Sequence, residues 1–176
     1  MENVLLQALS DMLFGGPAYA EKAPAPNWNA YAENAQTYLS RPVFKGTPLR
    51  GDLLAKSAQK AYEETGTEVP LELALAQAQF ESGMARKGRN PTTNPYNVGE
   101  YDEGTKLKFK TIEEGIDAYY KTIARDYLKD KDLTELMVSF TNKAGNRYAS
   151  NPEYEKQLKE QIAYINKFLA SKKKEK

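Results

Sequence analysis

Residues 70–80 form the segment that most restricts what this chain can fold into. Among them only Glu72 and two glutamines are polar, and after Pro70 the run contains neither glycine nor proline. A helix that is apolar nearly all the way round has no face for water, so it belongs in the centre of a domain. The sequence therefore predicts a buried helix from residue 70 to about residue 84, with Pro70 near its first turn and Gly83 near its end.

Further secondary-structure patterns lie on both sides of this central segment. A helix follows Gly51, with Asp52 as a candidate N-cap, and a capping box at 111–114 opens an amphipathic helix that runs to about residue 127. Residues 96–109 alternate apolar and polar side chains around an Asp-Glu-Gly turn, which is typical of a β-hairpin. Weaker patterns predict helices at 29–40, 133–140 and 151–169 and an extended segment at 41–51. The predicted fold class is mainly α, with one small β-hairpin.

The composition excludes several kinds of active site. The chain has no cysteine and no histidine, which rules out Ser-His and Cys-His nucleophiles, zinc sites built from these residues, redox thiols and disulfides. Any acid–base catalysis must use Asp, Glu, Lys or Tyr, and we expect no metal and no cofactor. The net charge of +1 gives no sign of a nucleic-acid-binding surface. No apolar run approaches the ~18–20 residues of a membrane span.

The first 44 residues differ from the rest of the chain. Four apolar side chains share one face of a predicted N-terminal helix, and a stretch rich in Gly, Pro and Ala at 15–26 follows as a linker. The motif Ala-Tyr-Ala at 18–20 resembles a signal-peptide cleavage site, but no positive charge precedes it, so we expect no cleaved signal. The sequence thus divides into an attachment arm at 1–44, a compact domain at 45–171 and a basic tail at 172–176, which we expect to be solvated and disordered.

Glu81 is the one carboxylate near the end of the central helix. It shares a helix face with Ala74, Gln77, Ala78 and Ala85, and the small side chains of this face leave room for a cleft. The negative end of the helix dipole and partial burial both favour the protonated form of an acid here. These are the properties of a general acid, although a solvent-exposed glutamate at a helix end gives the same local pattern.

Five motifs, in this order along the chain, resemble those of lysozyme-like enzymes that cleave peptidoglycan. The stretch LALAQAQFESGMARKG at 73–88 resembles the A-x-Q-x-x-x-E-S-G helix that ends at the catalytic glutamate of these glycosidases. The N-acetylglucosaminidase group, glycoside hydrolase family 73 and its relatives, shows the nearest resemblance. Similar motifs of that group match NPYNVG at 94–99, EYDEG at 100–104, FKTIEEGIDAYY at 109–120 and RYASNPEY at 147–154. The resemblance covers about residues 50–165 and departs from the group at Asn97-Val98 and in the short loop 86–93.

The resemblance implies a lysozyme-like helical fold and a role for individual residues. Glu81 corresponds to the catalytic acid, and Glu100 corresponds to the second carboxyl group, for which Asp102 and Glu103 are alternatives. Tyr148 corresponds to the cleft tyrosine of the group.

Three further residues are candidates for substrate binding. Gln77, one turn before the catalytic acid, is expected to line the cleft. Ser82 either bonds a group in the cleft or closes the helix, and Asn97 either binds substrate or satisfies the entrance of the hairpin.

The sequence leaves the reaction type open. A pair of carboxyl groups about 6.5–9.5 Å apart inverts the sugar configuration, and a pair about 5–5.5 Å apart retains it. Alternatively, Glu81 works alone with the acetamido or 6-hydroxyl group of the sugar, as in substrate-assisted hydrolases and in lytic transglycosylases of the same fold.

The predicted function is therefore cleavage of peptidoglycan glycan strands. Such an enzyme acts extracellularly at the cell envelope or as part of a phage virion, where residues 1–44 would contact other envelope or virion proteins. A structural or assembly protein that keeps the lysozyme-like scaffold is the competing hypothesis. Such a protein has no need of the acid, and Glu81 is present.

Overall fold

The computed structural model describes residues 24–86, 92–99 and 107–174, and these residues form a mainly helical fold. The predicted mainly α class is confirmed. The described residues contain the α-helices α1 (Trp28–Leu39), α2 (Gly51–Thr65), α3 (Leu71–Ser82), α4 (Ile112–Thr122), α5 (Leu133–Leu136) and α6 (Tyr154–Lys174). A 3-10 helix (Pro42–Phe44) follows α1, and a π-helix (Ile123–Tyr127) continues α4.

Helix α3 is buried at the centre of the fold, as its composition predicts. Leu73, Leu75 and the alanines between and beyond them have no accessible surface. Helices α1 and α6 pack against α3. Helix α2 packs against both α1 and α4. Gly83 ends α3 in the left-handed conformation with φ 58°, and its N–H bonds to the carbonyl of Gln79 over 3.0 Å. This is the position where a helix most often uses glycine.

Several predicted boundaries are wrong in detail. Arg50, not Asp52, is the N-cap residue of α2, and Asp52 lies in the first turn with its carboxylate bonded to the Arg50 guanidinium. Thr111 caps α4 by accepting from the N–H of Glu114, but the Glu114 carboxylate accepts from the N–H of Lys110, so the predicted capping box is only half formed. Helix α5 ends four residues before the predicted end at 140. The segment 41–51 is not wholly extended, because the 3-10 helix lies within it.

Helix α1 belongs to the same hydrophobic core as the rest of the domain. Tyr31, Tyr38 and Leu39 of this helix are buried in that core together with Phe44. The predicted boundary between residues 44 and 45 therefore divides a continuous core, and residues 28–44 pack as part of the domain. The predicted helix near the N-terminus lies outside the described residues.

Arg41 attaches the end of α1 to α6. Its guanidinium carbon lies 4.9–5.2 Å from the ring centres of four aromatic residues, and its Nη2 donates to a tyrosine hydroxyl of α6 over 2.7 Å. Cation–π contacts of this kind contribute about 0.5–1 kcal/mol each at exposed sites. The four rings are those of Tyr38, Phe44, Tyr164 and Phe168.

The loop 92–99 is held against α4 by two close contacts. A Cβ at Gly115 would collide with the carbonyl oxygen of Thr93, so only glycine allows the loop to approach the helix. The ring of Tyr96 stacks on Tyr119 with centres 3.6 Å apart and planes 10° from parallel. Both rings have no accessible surface.

The predicted hairpin at 96–109 is not seen in the part of the chain that the structure describes. Residues 96–99 and 107–109 are not in strands, and the remainder of the hairpin, with Glu100, Asp102 and Glu103, lies outside the described residues. The described residues contain no strand, and their one β-bridge pairs Thr141 with Arg147.

The basic tail is helical as far as the structure describes it, which corrects the prediction of a disordered end. Helix α6 continues through Lys172, Lys173 and Lys174. Lysines in a last turn interact favourably with the negative end of the helix dipole, which offsets their mutual repulsion. None of the helices in the described ranges combines the length and the apolar composition needed to cross a bilayer.

Two ion pairs connect α2 with α4, one between Lys121 and Glu64 over 2.7 Å and one between Lys60 and Asp117. Asp117 accepts from the Lys60 ammonium and from the Ser57 hydroxyl, each over 2.6 Å. Burial opposes ionisation of Asp117, but these two bonds outweigh it and lower the pKa of the carboxyl group.

Candidate functional site

Glu81 lies in the last turn of α3, where it lines an open cleft of about 910 Å³. The carboxyl group is half-buried, because the last turn of α3 reaches the surface. Other parts of the cleft wall come from the loop 97–99, from the segment 142–151 between α5 and α6, and from the first turns of α6. A cleft is therefore present at Glu81, but the small residues expected to form its floor do not reach it, because Ala74, Ala78 and Ala85 have no accessible surface.

Two side chains of the described cleft wall bond the carboxyl group of Glu81. The hydroxyl of Tyr154 donates to Oε1 over 3.1 Å, and Nδ2 of Asn97 donates to Oε2 over 3.0 Å. Asn97 also donates to the main-chain oxygen of Glu81 over 3.0 Å. These bonds favour the ionised carboxylate, whereas half-burial and the helix C-terminus favour the protonated acid. Opposing influences therefore act on the protonation of Glu81. A general acid must both give away its proton and recover it.

A buried chain of hydrogen bonds stands behind Tyr154. The hydroxyl of Tyr119 donates to Oε1 of Gln77 over 2.6 Å, and Nε2 of Gln77 donates to the Tyr154 oxygen over 2.9 Å. Because Tyr154 accepts from Gln77, its own proton is directed to Glu81. Desolvation raises the pKa of both tyrosines, and the charge of Glu81 adds to the rise at Tyr154, so both stay neutral donors.

Gln77 therefore positions another residue and does not line the cleft. Its side chain has no accessible surface, and both the oxygen and the nitrogen of its amide group are bonded inside the protein. The prediction that Gln77 binds substrate is wrong for this reason.

Ser82 closes the end of α3, which is one of the two predicted alternatives. Its hydroxyl donates to the carbonyls of Ala78 and Pro95 and accepts from the N–H of Ala85 over 2.7 Å. The residue is 2% exposed, so the predicted role in substrate binding is not supported by its position.

The backbone beyond Ser82 turns sharply. Gly83, Met84 and Ala85 all have a positive φ, with 63° at Met84 and 61° at Ala85. For residues other than glycine this conformation costs about 1–2 kcal/mol each. The Ser82 hydroxyl on Ala85 and the Thr47 hydroxyl on the Met84 carbonyl, each over 2.7 Å, hold the turn. Backbone strain of this kind accumulates next to functional sites.

Asn97 reaches Glu81 because its own backbone is left-handed, with φ 50°. Asparagine tolerates this conformation better than most residues. The turn around it is held by Asn94, whose side chain bonds both the N–H and the carbonyl of Val98. Asn97 also lines the cleft, so the structure brings it to the predicted site.

Tyr148 lines the cleft as predicted. Its hydroxyl donates to the main-chain oxygen of Tyr96 over 2.8 Å, and its ring packs on Tyr127, Phe140 and Tyr154. Desolvation raises the pKa of Tyr148 well above its usual value, so its hydroxyl remains protonated.

The rest of the described cleft wall is polar and carries little charge. Glu81 and Arg147 are its two charged side chains, and the others with amide groups are Asn97, Asn142, Asn146, Asn151 and Gln157. Amide groups both donate and accept hydrogen bonds, which suits sugar hydroxyl and acetamido groups. No group of acidic side chains within the described ranges could hold a metal ion. Gly99, which directly precedes Glu100, also lines the cleft.

Sequence reasoning missed two residues of the site. The sequence patterns assign no individual role to Tyr154 or to Arg147. Both stand in the motif at 147–154, and the two tyrosines of that motif are the signal that points to more than one cleft residue.

No known protein family matches this sequence, and no curated protein is significantly similar to it. The described cleft wall offers a fixed carboxyl group, three tyrosines, amides and one guanidinium.

Proposed function

We propose that this protein cleaves the glycan strands of bacterial peptidoglycan, with Glu81 as the general acid. The observation that carries the proposal is a single carboxyl group, fixed by Tyr154 and Asn97 at the wall of an open, amide-lined cleft. The motifs at 73–88, 94–99 and 147–154, which resemble those of lysozyme-like N-acetylglucosaminidases, meet at this cleft and support the same assignment.

In the first step Glu81 protonates the oxygen that links two sugars. The bond between that oxygen and the anomeric carbon breaks, and positive charge develops on the sugar ring. Negative charge appears on Glu81 at the same time. The donors Tyr154 and Asn97 are already directed at its two oxygens, so they stabilise this charge without reorganisation.

The second step depends on a second group. In the hydrolytic reaction, water adds to the anomeric carbon and gives its proton to a base, for which we propose Glu100. If Glu81 works alone, the acetamido group of the sugar assists the hydrolysis. In a lytic transglycosylase the 6-hydroxyl of the same sugar attacks the anomeric carbon and gives its proton to the Glu81 carboxylate, so that a 1,6-anhydro sugar forms.

The test is clearance of purified cell walls by the whole protein and by Glu81→Gln. We expect the variant to lose nearly all activity, because glutamine keeps the shape and has no proton to give. Glu72→Gln is the matched control, because Glu72 lies in the first turn of the same helix and outside the cleft wall. Equal clearance by the wild type and Glu81→Gln would reject the catalytic role. Clearance by neither would favour a structural protein on the same scaffold.

Mass spectrometry of the released fragments separates the two reactions. Hydrolysis leaves reducing ends, and a lytic transglycosylase leaves 1,6-anhydro sugars. Since the substrate lies outside the bacterial cytoplasm, we place the enzyme at the cell envelope or in a phage virion. There residues 1–23 would supply contacts with other envelope or virion proteins, since α1 is part of the domain core.

A further inference from the structure

Arg147 is the one cationic side chain of the described cleft wall. Only one of its nitrogens is occupied: Nη2 donates to Oε1 and Oε2 of Glu155 over 2.7 and 2.6 Å, with a longer contact of 3.4 Å to the Asn151 carbonyl. A guanidinium carries five N–H groups. Within the described residues, Nη1 and Nε make no hydrogen bond, so three N–H groups are left.

The partner of Arg147 is itself fixed. The Glu155 side chain is 12% exposed, and its Oε1 also accepts from the N–H of Phe140 over 3.0 Å. Arg147, by contrast, is 41% exposed. Nη2 of the guanidinium is therefore bound to a largely buried carboxylate, whereas Nη1 and Nε are accessible from the cleft.

We propose that Arg147 binds a carboxylate carried by the muramyl sugar of the glycan strand, on its lactyl group or on the attached peptide. The inference rests on the proposed function, because it assigns a substrate group to the same cleft. Both parallel N–H pairs of a guanidinium include Nη2, which Glu155 already holds, so the ligand carboxylate accepts a charge-assisted hydrogen bond from Nη1 or Nε. Because Glu155 already holds the side chain, little rotamer freedom is lost when the ligand binds.

This contact distinguishes peptidoglycan from a neutral polymer of N-acetylglucosamine. Both polymers offer the same hydroxyl and acetamido groups to the amides of the cleft, and only the muramyl sugar adds a negative charge. Glu155 neutralises part of the Arg147 charge, so the discrimination depends on the free N–H groups and not on a long-range field.

The experiment measures binding by calorimetry with the full-length Glu81→Gln protein, which does not consume the ligand. The probes are peptide-free muramyl oligosaccharides with free lactyl carboxylates, the same oligosaccharides with those carboxylates amidated, and peptide-bearing fragments. We expect the charged probes to bind at least about tenfold more tightly than the amidated one, as for the loss of a charge-assisted hydrogen bond. Whichever charged probe binds more tightly identifies the lactyl group or the peptide as the source.

Adding Arg147→Gln to the Glu81→Gln protein should remove the preference for charged probes. The affinity for the amidated probe should stay unchanged. Arg125→Gln is the matched control, because Arg125 also pairs with a carboxylate, Asp126, and lies outside the cleft wall. Thermal unfolding verifies that each variant is folded at the assay temperature. If Arg147→Gln does not fold, the preference of the Glu81→Gln protein for charged over amidated probes still decides the proposal.

The failures of the two proposals are distinguishable. The role of Arg147 alone would be overturned by either of two results. One is equal affinity of the Glu81→Gln protein for charged and amidated probes. The other is that adding Arg147→Gln weakens the binding of charged and amidated probes by the same factor. Absence of binding to every probe would overturn the proposed function as well.

Discussion

Replacing Tyr154 by phenylalanine tests how the site controls the proton of Glu81. The Tyr154 hydroxyl donates to Oε1 of Glu81. Desolvation is the main cause of the raised pKa of Tyr154, and the negative charge of Glu81 raises it further. The influence is reciprocal, since a neutral hydroxyl that donates to a carboxylate stabilises the ionised form. Without the hydroxyl, Glu81 should keep its proton to a higher pH.

The expected size follows from the geometry. Hydrogen bonds to charged groups contribute about 1.5–3 kcal/mol, and bonds from a hydroxyl to a carboxylate are normally about 2.5–2.7 Å long. At 3.1 Å the bond from Tyr154 is long, so the lower value of about 1.5 kcal/mol applies. Since 1.36 kcal/mol corresponds to one pKa unit, the shift is about one pH unit. A general acid is active below its pKa, so the basic limb of the pH profile moves upward.

The assay is the pH dependence of kcat/KM for a soluble glycan fragment, which reports the free enzyme. Tyr148→Phe is the matched control, because Tyr148 lines the same cleft but donates to the main-chain oxygen of Tyr96 and not to Glu81. We expect its basic limb to stay in place even if its KM changes. A basic limb in Tyr154→Phe that stays in place or moves downward would refute this account of Glu81.

Three further predictions concern the fold. Gly115→Ala should destabilise the protein by about 1–3 kcal/mol through overpacking on the loop 92–99, whereas a rise in melting temperature, as for an unobstructed helical glycine, would contradict the close contact. The pKa of Asp117 is lowered in the folded protein. Ionised Asp117 therefore stabilises the fold above the unfolded pKa of about 3.9, and this stabilisation is lost as the pH falls through the lower folded pKa. In urea titrations, Asp117→Asn should have a lower free energy of unfolding than the wild type at pH 7, and the difference should vanish at acid pH. Deleting residues 1–23 should leave a folded, active protein that no longer associates with a virion or envelope, whereas deleting 1–44 should abolish folding by circular dichroism, because it removes buried side chains of α1.

The backbone pattern of the described chain could be predicted largely from the sequence. Residues 70–80 required a buried helix because hardly any polar side chain is available for a solvent face, and α3 is that helix. The ends were less accurate. Arg50 and not Asp52 precedes α2, because several residues can begin a helix and tertiary packing chooses among them.

The sequence by itself determined that a carboxyl group stands at the exposed end of a buried helix. Periodicity and helix-ending residues are local signals, and local signals are sufficient for that statement. Only the tertiary structure decided which side chains control Glu81. Tyr154 is 73 residues away in the chain and Asn97 is 16 residues away, and no local periodicity records such contacts. Gln77 shows the same limit: its position on the helix predicted a cleft residue, but the burial of α3 by its neighbours made it the inner partner of Tyr154.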